Sequence, residues 1–305
     1  MTPRIALMTD SLRPTNSLTA FAYSNRFFDG RTVSVSRLDS ANNVWLCESL
    51  DGTKIVLKYF DLSDHGRDHF NSELSVYQGN LNCAWLPKLV TSDADFNLLA
   101  LEYIEQRNTP SISIQRLIQD TSAMMNQLSF DGDLHRHVPA IIGLWHDHEV
   151  RLNPSEAIIL QVARTTIAIS QSVTRLVNSW QEIAHLHGDL KLANFLFTDD
   201  SFRVIDWESR CMGPASWDLA GIVQSVILEL VSQGPQSSWA TEQLPAMQEL
   251  LSKGSDDLID CVIGRLVQSS LEASQMSEKV TVLSANLLQI ADFIGRHDFS
   301  FLRSL

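Results

Sequence analysis

No run of eighteen apolar residues occurs anywhere in the 305-residue chain, so no membrane-spanning helix is expected. Cysteine is scarce. Cys47, Cys83, Cys211 and Cys261 stand far apart without zinc-site spacing. They read as reduced, mostly buried thiols of a cytoplasmic protein. Positive charge is short as well: 23 Lys and Arg face 36 Asp and Glu, a net charge of −13. That balance argues against nucleic acid as a partner. It is compatible with a cationic substrate, but acidity for solubility alone is the weightier reading. The opening MTPRIALMTDSLRP has too short an apolar run for a secretory signal. Internal repeats and low-complexity segments are also absent.

What is present centres on HGDLKLANF, His187 to Phe195, followed nine residues later by VIDWE, Val204 to Glu208. Two apolar runs, FLF and FRV, flank a Thr-Asp-Asp-Ser turn between them. Transfer of a phosphoryl group needs a carboxylate to hold an acceptor hydroxyl and take its proton, and Asp189 supplies one. It needs a magnesium ion on the triphosphate, which takes oxygen ligands. Asn194, five residues after Asp189, offers an amide oxygen, and Asp206 offers a carboxylate. A D-x-x-x-x-N spacing followed by a strand and a second Asp is the arrangement of phosphoryl-transfer sites. Turn and cap roles explain Asp189 or Asn194 alone, but not the ordered set.

The stretch resembles the aminoglycoside phosphotransferase and choline kinase-like family, relatives of the protein kinases. That family writes H-G-D-x-x-x-x-N, then I-D-W-E or I-D-F-E, then Gly-Pro and W/Y-D-L-A. Here the last two are Gly213-Pro214 and Trp217-Asp218-Leu219-Ala220. The resemblance implies a two-lobed α+β fold, with a small antiparallel sheet before a larger helical lobe. It also implies ATP and Mg2+ as cofactors.

From Thr32 the chain reads as strands. Val33 and Val35 alternate with polar neighbours, and Val44, Leu46 and Cys47 mark a second strand. Asp51-Gly52 signals a hairpin, and Lys54 to Phe60 is a third strand. The resemblance gives Lys58 on that strand the nucleotide's α- and β-phosphates. The connector Leu38-Asp39-Ser40-Ala41-Asn42-Asn43 lacks the glycines that kinases place over the phosphates. Ser40, Asn42 and Asn43 are the expected substitutes, because their side chains donate hydrogen bonds and Asn tolerates left-handed backbone. A helix from about Ser63 to Tyr77 carries Glu73, the one glutamate between Phe60 and Ala100, and so the expected partner of Lys58. Strands near Pro87–Thr91 and Asn97–Tyr103 lead to a polar link. By resemblance, backbone groups of Glu102, Tyr103 and Ile104 bond the adenine.

The second lobe reads as helical. Ser113 to Leu128 is its first helix, with Met124 and Met125 as core filling. His135, His137, His146 and His148 form two H-x-H pairs that lack metal-site geometry. The longest periodic stretch runs from Pro154 to about Ala184. Asn153, Pro154 and Glu156 start it as cap, first position and capping box. Its stripe of Ile159, Val162, Thr166, Ile169, Val173, Leu176, Trp180 and Ile183 marks it as the central pillar of the lobe. His187 reads as structural and Asp218 as a brace beneath the loop. Helices are also expected through Val223–Leu230, Glu242–Leu251, Asp257–Leu271 and Val280–Ile294.

These readings define a nucleotide-binding lobe over 1–104 and a catalytic, acceptor-binding lobe over 105–305. The expected function is Mg-dependent transfer of the ATP γ-phosphoryl group to a hydroxyl of a small molecule. Asp189 is the base, Lys191 the phosphate-side lysine, and Asn194 and Asp206 the metal ligands. A second reading is a kinase of peptide Ser/Thr, favoured by Lys191, which stands where Ser/Thr protein kinases keep a lysine. Against it, only twelve residues separate Asp206 from Asp218, and no A-P-E follows. A third reading is a catalytically dead scaffold. The missing glycines favour it, and the intact Asp189, Asn194, Asp206 and Lys58 oppose it.

Overall fold

The computed structural model describes residues 17–38, 43–107, 112–130, 138–146, 152–233, 238–275 and 279–299. The chain divides into two compact units, residues 1–105 and 106–305. Among the described residues no helix is long and apolar enough to cross a membrane.

The first unit opens with α1 (Ser17–Phe27), followed by β1 (Thr32–Arg37), β2 (Asn43–Ser49) and β3 (Lys54–Tyr59). Then come α2 (Asp64–Gly79), β4 (Leu89–Asp93) and β5 (Leu98–Glu102). The strands form one antiparallel sheet in the order β1-β2-β3-β5-β4. Side chains alternate faces along a strand, and β3 shows what this achieves. Ile55, Leu57 and Tyr59 join Ala20 and Tyr23 of α1 in one buried cluster. Val56 and Lys58 point to the opposite face. The β2–β3 turn places Gly52 at φ 81°, where a side chain is disfavoured. Ser63 caps α2 by accepting from the Gly66 N–H at 3.1 Å.

Helix α1 is absent from the sequence reading. Its buried face is Ala20, Tyr23 and Ser24 rather than a stripe of large aliphatics, so the helical spacing is hidden by small and polar residues. Ser24 is satisfied there, 3.0 Å from the Thr32 hydroxyl.

The second unit holds α3 (Ile114–Gln127), α4 (Ala140–His146), α5 (Pro154–Thr165), α6 (Ile167–Ser179) and β6 (Ala184–Leu186). After the loop come β7 (Phe195–Phe197), β8 (Phe202–Val204) and β9 (Cys211–Gly213). The chain continues with α7 (Ser216–Gln233), α8 (Ser238–Lys253), α9 (Asp256–Gln275) and α10 (Val282–Gly295). Strands β7 and β8 form a hairpin, and β6 pairs with β9.

The expected continuous helix from Pro154 to Ala184 is corrected to two helices and a strand. The capping box at Asn153 and Glu156 is formed. The helix breaks at Thr166, whose ψ is 110° and whose hydroxyl donates to the Val162 carbonyl at 2.8 Å. The run Thr165-Thr166-Ile167 is β-branched throughout, which crowds χ1 against the preceding turn. Threonine back-bonding to the i−4 carbonyl bends helices further. The stripe also overreaches, since Val162 is 42% and Ile183 69% exposed.

The buried pillar is instead α9, where every residue from Leu258 to Val267 is buried. It packs against α5, α6, α7 and α10. Gly264 makes this close fit possible. A Cβ there would lie 2.6 Å from the Leu176 side chain and 3.3 Å from the Trp217 ring.

Candidate active site

The loop after β6 is held through many of its backbone polar groups. Asp218, at the start of α7, accepts from the His187 N–H at 2.7 Å and the Gly188 N–H at 3.1 Å. The Gly188 carbonyl accepts from the Trp217 indole at 3.0 Å. Asn194 donates its side-chain amide to the Asp189 carbonyl at 2.9 Å, and its own carbonyl accepts from the Ile205 N–H at 3.0 Å. The Leu192 N–H reaches Ser225 Oγ at 3.0 Å. A loop with its backbone groups paired in this way keeps one conformation.

The dipeptide His187-Gly188 is fixed sterically. Gly188 has φ 84°, and a Cβ on it would lie 2.0 Å from the Ser209 carbonyl oxygen. The His187 ring is spent on structure. Its Nε2 lies 2.8 Å from the Ile205 carbonyl, and its Nδ1 accepts weakly from the Asp189 N–H at 3.4 Å. A ring with both nitrogens so used is poorly placed to shuttle protons.

Asp189 itself projects from this scaffold with its side chain 33% exposed. One carboxylate oxygen accepts from Lys191 Nζ at 2.7 Å. Burial works against the Lys191 ammonium, but the charges of Asp189 and Glu272 outweigh it and hold its pKa above the ordinary lysine value. Burial pushes the Asp218 carboxyl up, opposed by His187, Arg265 and the two backbone N–H groups it binds.

Asn194 is buried, and its bond to Asp189 spends the amide nitrogen. The side-chain oxygen takes no part in that bond. Asp206 follows β8 with φ 70°, a left-handed backbone rare outside glycine. Strain of that kind concentrates at functional positions. Oxygen donors from an amide and a carboxylate suit a hard divalent ion such as magnesium.

In the first unit, Lys58 and Glu73 form an ion pair at 2.6 Å, with side chains only 5% and 1% exposed. The Tyr77 hydroxyl donates to the other Glu73 oxygen at 3.3 Å. Lys58 Nζ also lies 4.8 Å from the centre of the Phe60 ring. Asn43 begins β2 and pairs with Tyr59, so it sits in the sheet and not in a connector loop. Ser40 and Asn42 lie outside the described residues, as do His135, His137 and His148. The Glu102 N–H is engaged by the Lys88 carbonyl at 2.9 Å, and its carboxylate accepts from the Lys88 N–H. Tyr103 and Ile104 follow directly after β5, with Lys54 Nζ 5.4 Å from the Tyr103 ring centre.

Two contributors escape the sequence reading. Ser225 receives Leu192 while donating to the Gly221 carbonyl at 2.8 Å. Arg265, on α9, donates to the carbonyls of Gly188 at 3.3 Å and Leu190 at 3.0 Å. The one sequence signal for Arg265 is a lone charge inside the apolar run Cys261–Val267.

The model of the phosphotransferase enzyme family matches residues 117–251, a segment that contains the whole loop, Asp206 and Asp218. Over that segment the chain is similar to the phosphotransferase enzyme family. The resemblance to aminoglycoside phosphotransferases and choline kinases extends to solved structures. A choline kinase from Streptococcus pneumoniae superposes with a TM-score of 0.56 at 15% identity, covering 90% of this chain and 98% of that one. A thermostable aminoglycoside phosphotransferase APH(4)-Ia, solved with AMP-PNP and hygromycin B, gives 0.60 at 13% identity, with 92% and 98% covered. An amicoumacin kinase solved with AMP-PNP, Ca2+ and Ami gives 0.54 at 13%, with 86% and 88% covered. At such identities these likenesses establish the fold, a two-lobed protein-kinase-like α+β architecture. No curated protein matches the chain in sequence.

Proposed function

We propose that this protein is a phosphotransferase that moves the γ-phosphoryl group of ATP to a hydroxyl of a small molecule. The observation that carries the reading is Asp189, an accessible carboxylate on a loop whose backbone is pinned at both ends. In this account Asp189 accepts a hydrogen bond from the acceptor hydroxyl, orients it, and takes its proton as the new P–O bond forms. Lys191, beside that carboxylate, balances charge as the phosphoryl group arrives. Asn194 and Asp206 would hold magnesium, which supplies neutralisation of the phosphate charge. Lys58 binds the α- and β-phosphates, and Glu73 keeps its ammonium in place. Because the Glu102 N–H is already used within the sheet, Tyr103 and Ile104 are the backbone positions assigned to the adenine. Phosphoryl transfer has a loose transition state, so fixed charges and positioning supply most of the acceleration.

A small acceptor is favoured over a peptide. The segment from Asp206 to Asp218 is short, and three of its residues are tied into β9 against β6. That leaves little chain for a peptide platform. Solved relatives act on choline, hygromycin and amicoumacin, which agrees with a small acceptor. The domain roles follow: 1–104 for the nucleotide and 105–305 for catalysis and acceptor. The test is a screen of amino alcohols, aminoglycosides and other hydroxylated metabolites for magnesium-dependent ADP release. The expected result is acceptor-stimulated release that stops when magnesium is chelated. Stimulation by Ser/Thr peptides and by none of the small molecules would overturn the choice of acceptor.

A further inference from the structure

We propose that Arg265 is a positioning residue for phosphoryl transfer, acting through Asp189. The inference rests on the reading of Asp189 as the acceptor-side base. Arg265 stands 76 residues from Asp189 in sequence, on the buried pillar α9, and its side chain is 4% exposed. Its two terminal nitrogens straddle the base. One donates to the Gly188 carbonyl at 3.3 Å, and the other to the Leu190 carbonyl at 3.0 Å. The second also lies 3.5 Å from the Asp189 oxygen that Lys191 does not take. That last distance is long for a hydrogen bond, so its effect is mainly that of a nearby charge. The two carbonyls flank the Asp189 backbone, so holding both fixes where its Cα–Cβ bond points.

The surroundings are arranged for this fork. The guanidinium lies 5.2 Å from the centre of the Trp217 ring, and that indole bonds the same Gly188 carbonyl. Gly221 leaves the space. A Cβ there would come 1.9 Å from the Leu190 carbonyl oxygen and 2.7 Å from Arg265 Nη2. Arg265 Nε is buried with no hydrogen-bond partner. An unpaired buried N–H is costly, and it persists because the two terminal nitrogens are committed to the loop. A planar fork presents a separate nitrogen to each carbonyl in a fixed geometry, whereas a lysine ammonium carries all its donors on one nitrogen.

The test uses the full chain with Mg-ATP and water as acceptor, reading slow ADP release. Arg265→Met, Arg265→Lys and Asp189→Asn are compared with the double variant Asp189→Asn/Arg265→Met. Misplacing a catalytic group by an ångström costs on the order of 100-fold in rate. Arg265→Met is therefore expected to lower kcat by about 10- to 100-fold, with nucleotide KM within about twofold of wild type. Arg265→Lys, which keeps the charge and loses the fork, recovers only part of that loss. The double variant is no slower than Asp189→Asn alone, because Arg265 acts through Asp189. A merely structural arginine would instead slow the Asp189→Asn background further and lower nucleotide affinity together with melting temperature. That pattern overturns the proposal, and so does wild-type kcat in Arg265→Met beside a crippled Asp189→Asn. If Arg265→Met does not fold, wild-type kcat in Arg265→Lys overturns it equally. Undiminished ADP release by Asp189→Asn would overturn the base assignment, and the inference with it.

Discussion

Removing Glu73 should destabilise the first unit far more than a surface carboxylate would. Lys58 and Glu73 meet at 2.6 Å with almost no solvent contact. Glu73→Leu leaves the ammonium buried and takes the Tyr77 hydroxyl's acceptor away as well. Breaking a buried pair by deleting one partner costs about 3–5 kcal/mol. Loss of the Tyr77–Glu73 hydrogen bond adds about 1 kcal/mol more. Replacing both partners by apolar residues of similar size removes the uncompensated charge, and such exchanges are often near neutral. The double variant Lys58→Met/Glu73→Leu should therefore be more stable than either single variant. The two units need not unfold together, so a global denaturation curve is a poor reporter. Hydrogen exchange of the β3 and β5 amides reads the first unit by itself. The cycle should show a coupling energy of about 3 kcal/mol between the two positions. A Glu73→Leu cost below about 1 kcal/mol, or strict additivity of the two losses, would refute the reasoning.

Three further outcomes follow from the same geometry. Asp206→Asn should weaken nucleotide binding in the presence of magnesium and lower turnover, with little change in magnesium-free binding; calorimetry with and without the ion distinguishes these. Gly188→Ala should cost about 2 kcal/mol or more and abolish turnover, because its Cβ meets the Ser209 carbonyl and φ is positive; a melting temperature equal to wild type would contradict this. Burial raises the thiol pKa of Cys47 to about 11 and of Cys211 and Cys261 to about 12. Folded values above the ordinary one mean that stability is intact below the ordinary thiol pKa and is lost as pH rises through about 11 to 12. In native protein at pH 8, half-buried Cys83 should therefore label first, and the other three only as the protein unfolds.

The sequence exposed what depends on local order and concealed what depends on distance. The elements carrying HGDLKLANF and VIDWE are consecutive, so residue type and spacing were enough to outline a loop, a hairpin and the Asp218 brace. The β3 strand was legible from the Asp51-Gly52 hairpin signal and the apolar run Ile55-Val56-Leu57 that follows it. Glu73 stood out as the one glutamate in its stretch. By contrast, α5 and α6 share one apolar period, and nothing in that period registers the conflict of two adjacent threonines. The buried face of α1 is too small-residued to show a stripe. Arg265 could not be tied to Asp189 from sequence, since α9 meets the loop only after the helices pack.

The central claim is that Asp189 serves the acceptor and not the nucleotide. Steady-state turnover and nucleotide affinity of Asp189→Asn, measured on the same folded sample with Mg-ATP and a productive acceptor, test it most directly. The account predicts a fall in kcat of roughly 100- to 10,000-fold with the nucleotide Kd within about twofold of wild type. Near-normal kcat, or a loss of nucleotide affinity that accounts for the whole fall, would contradict it.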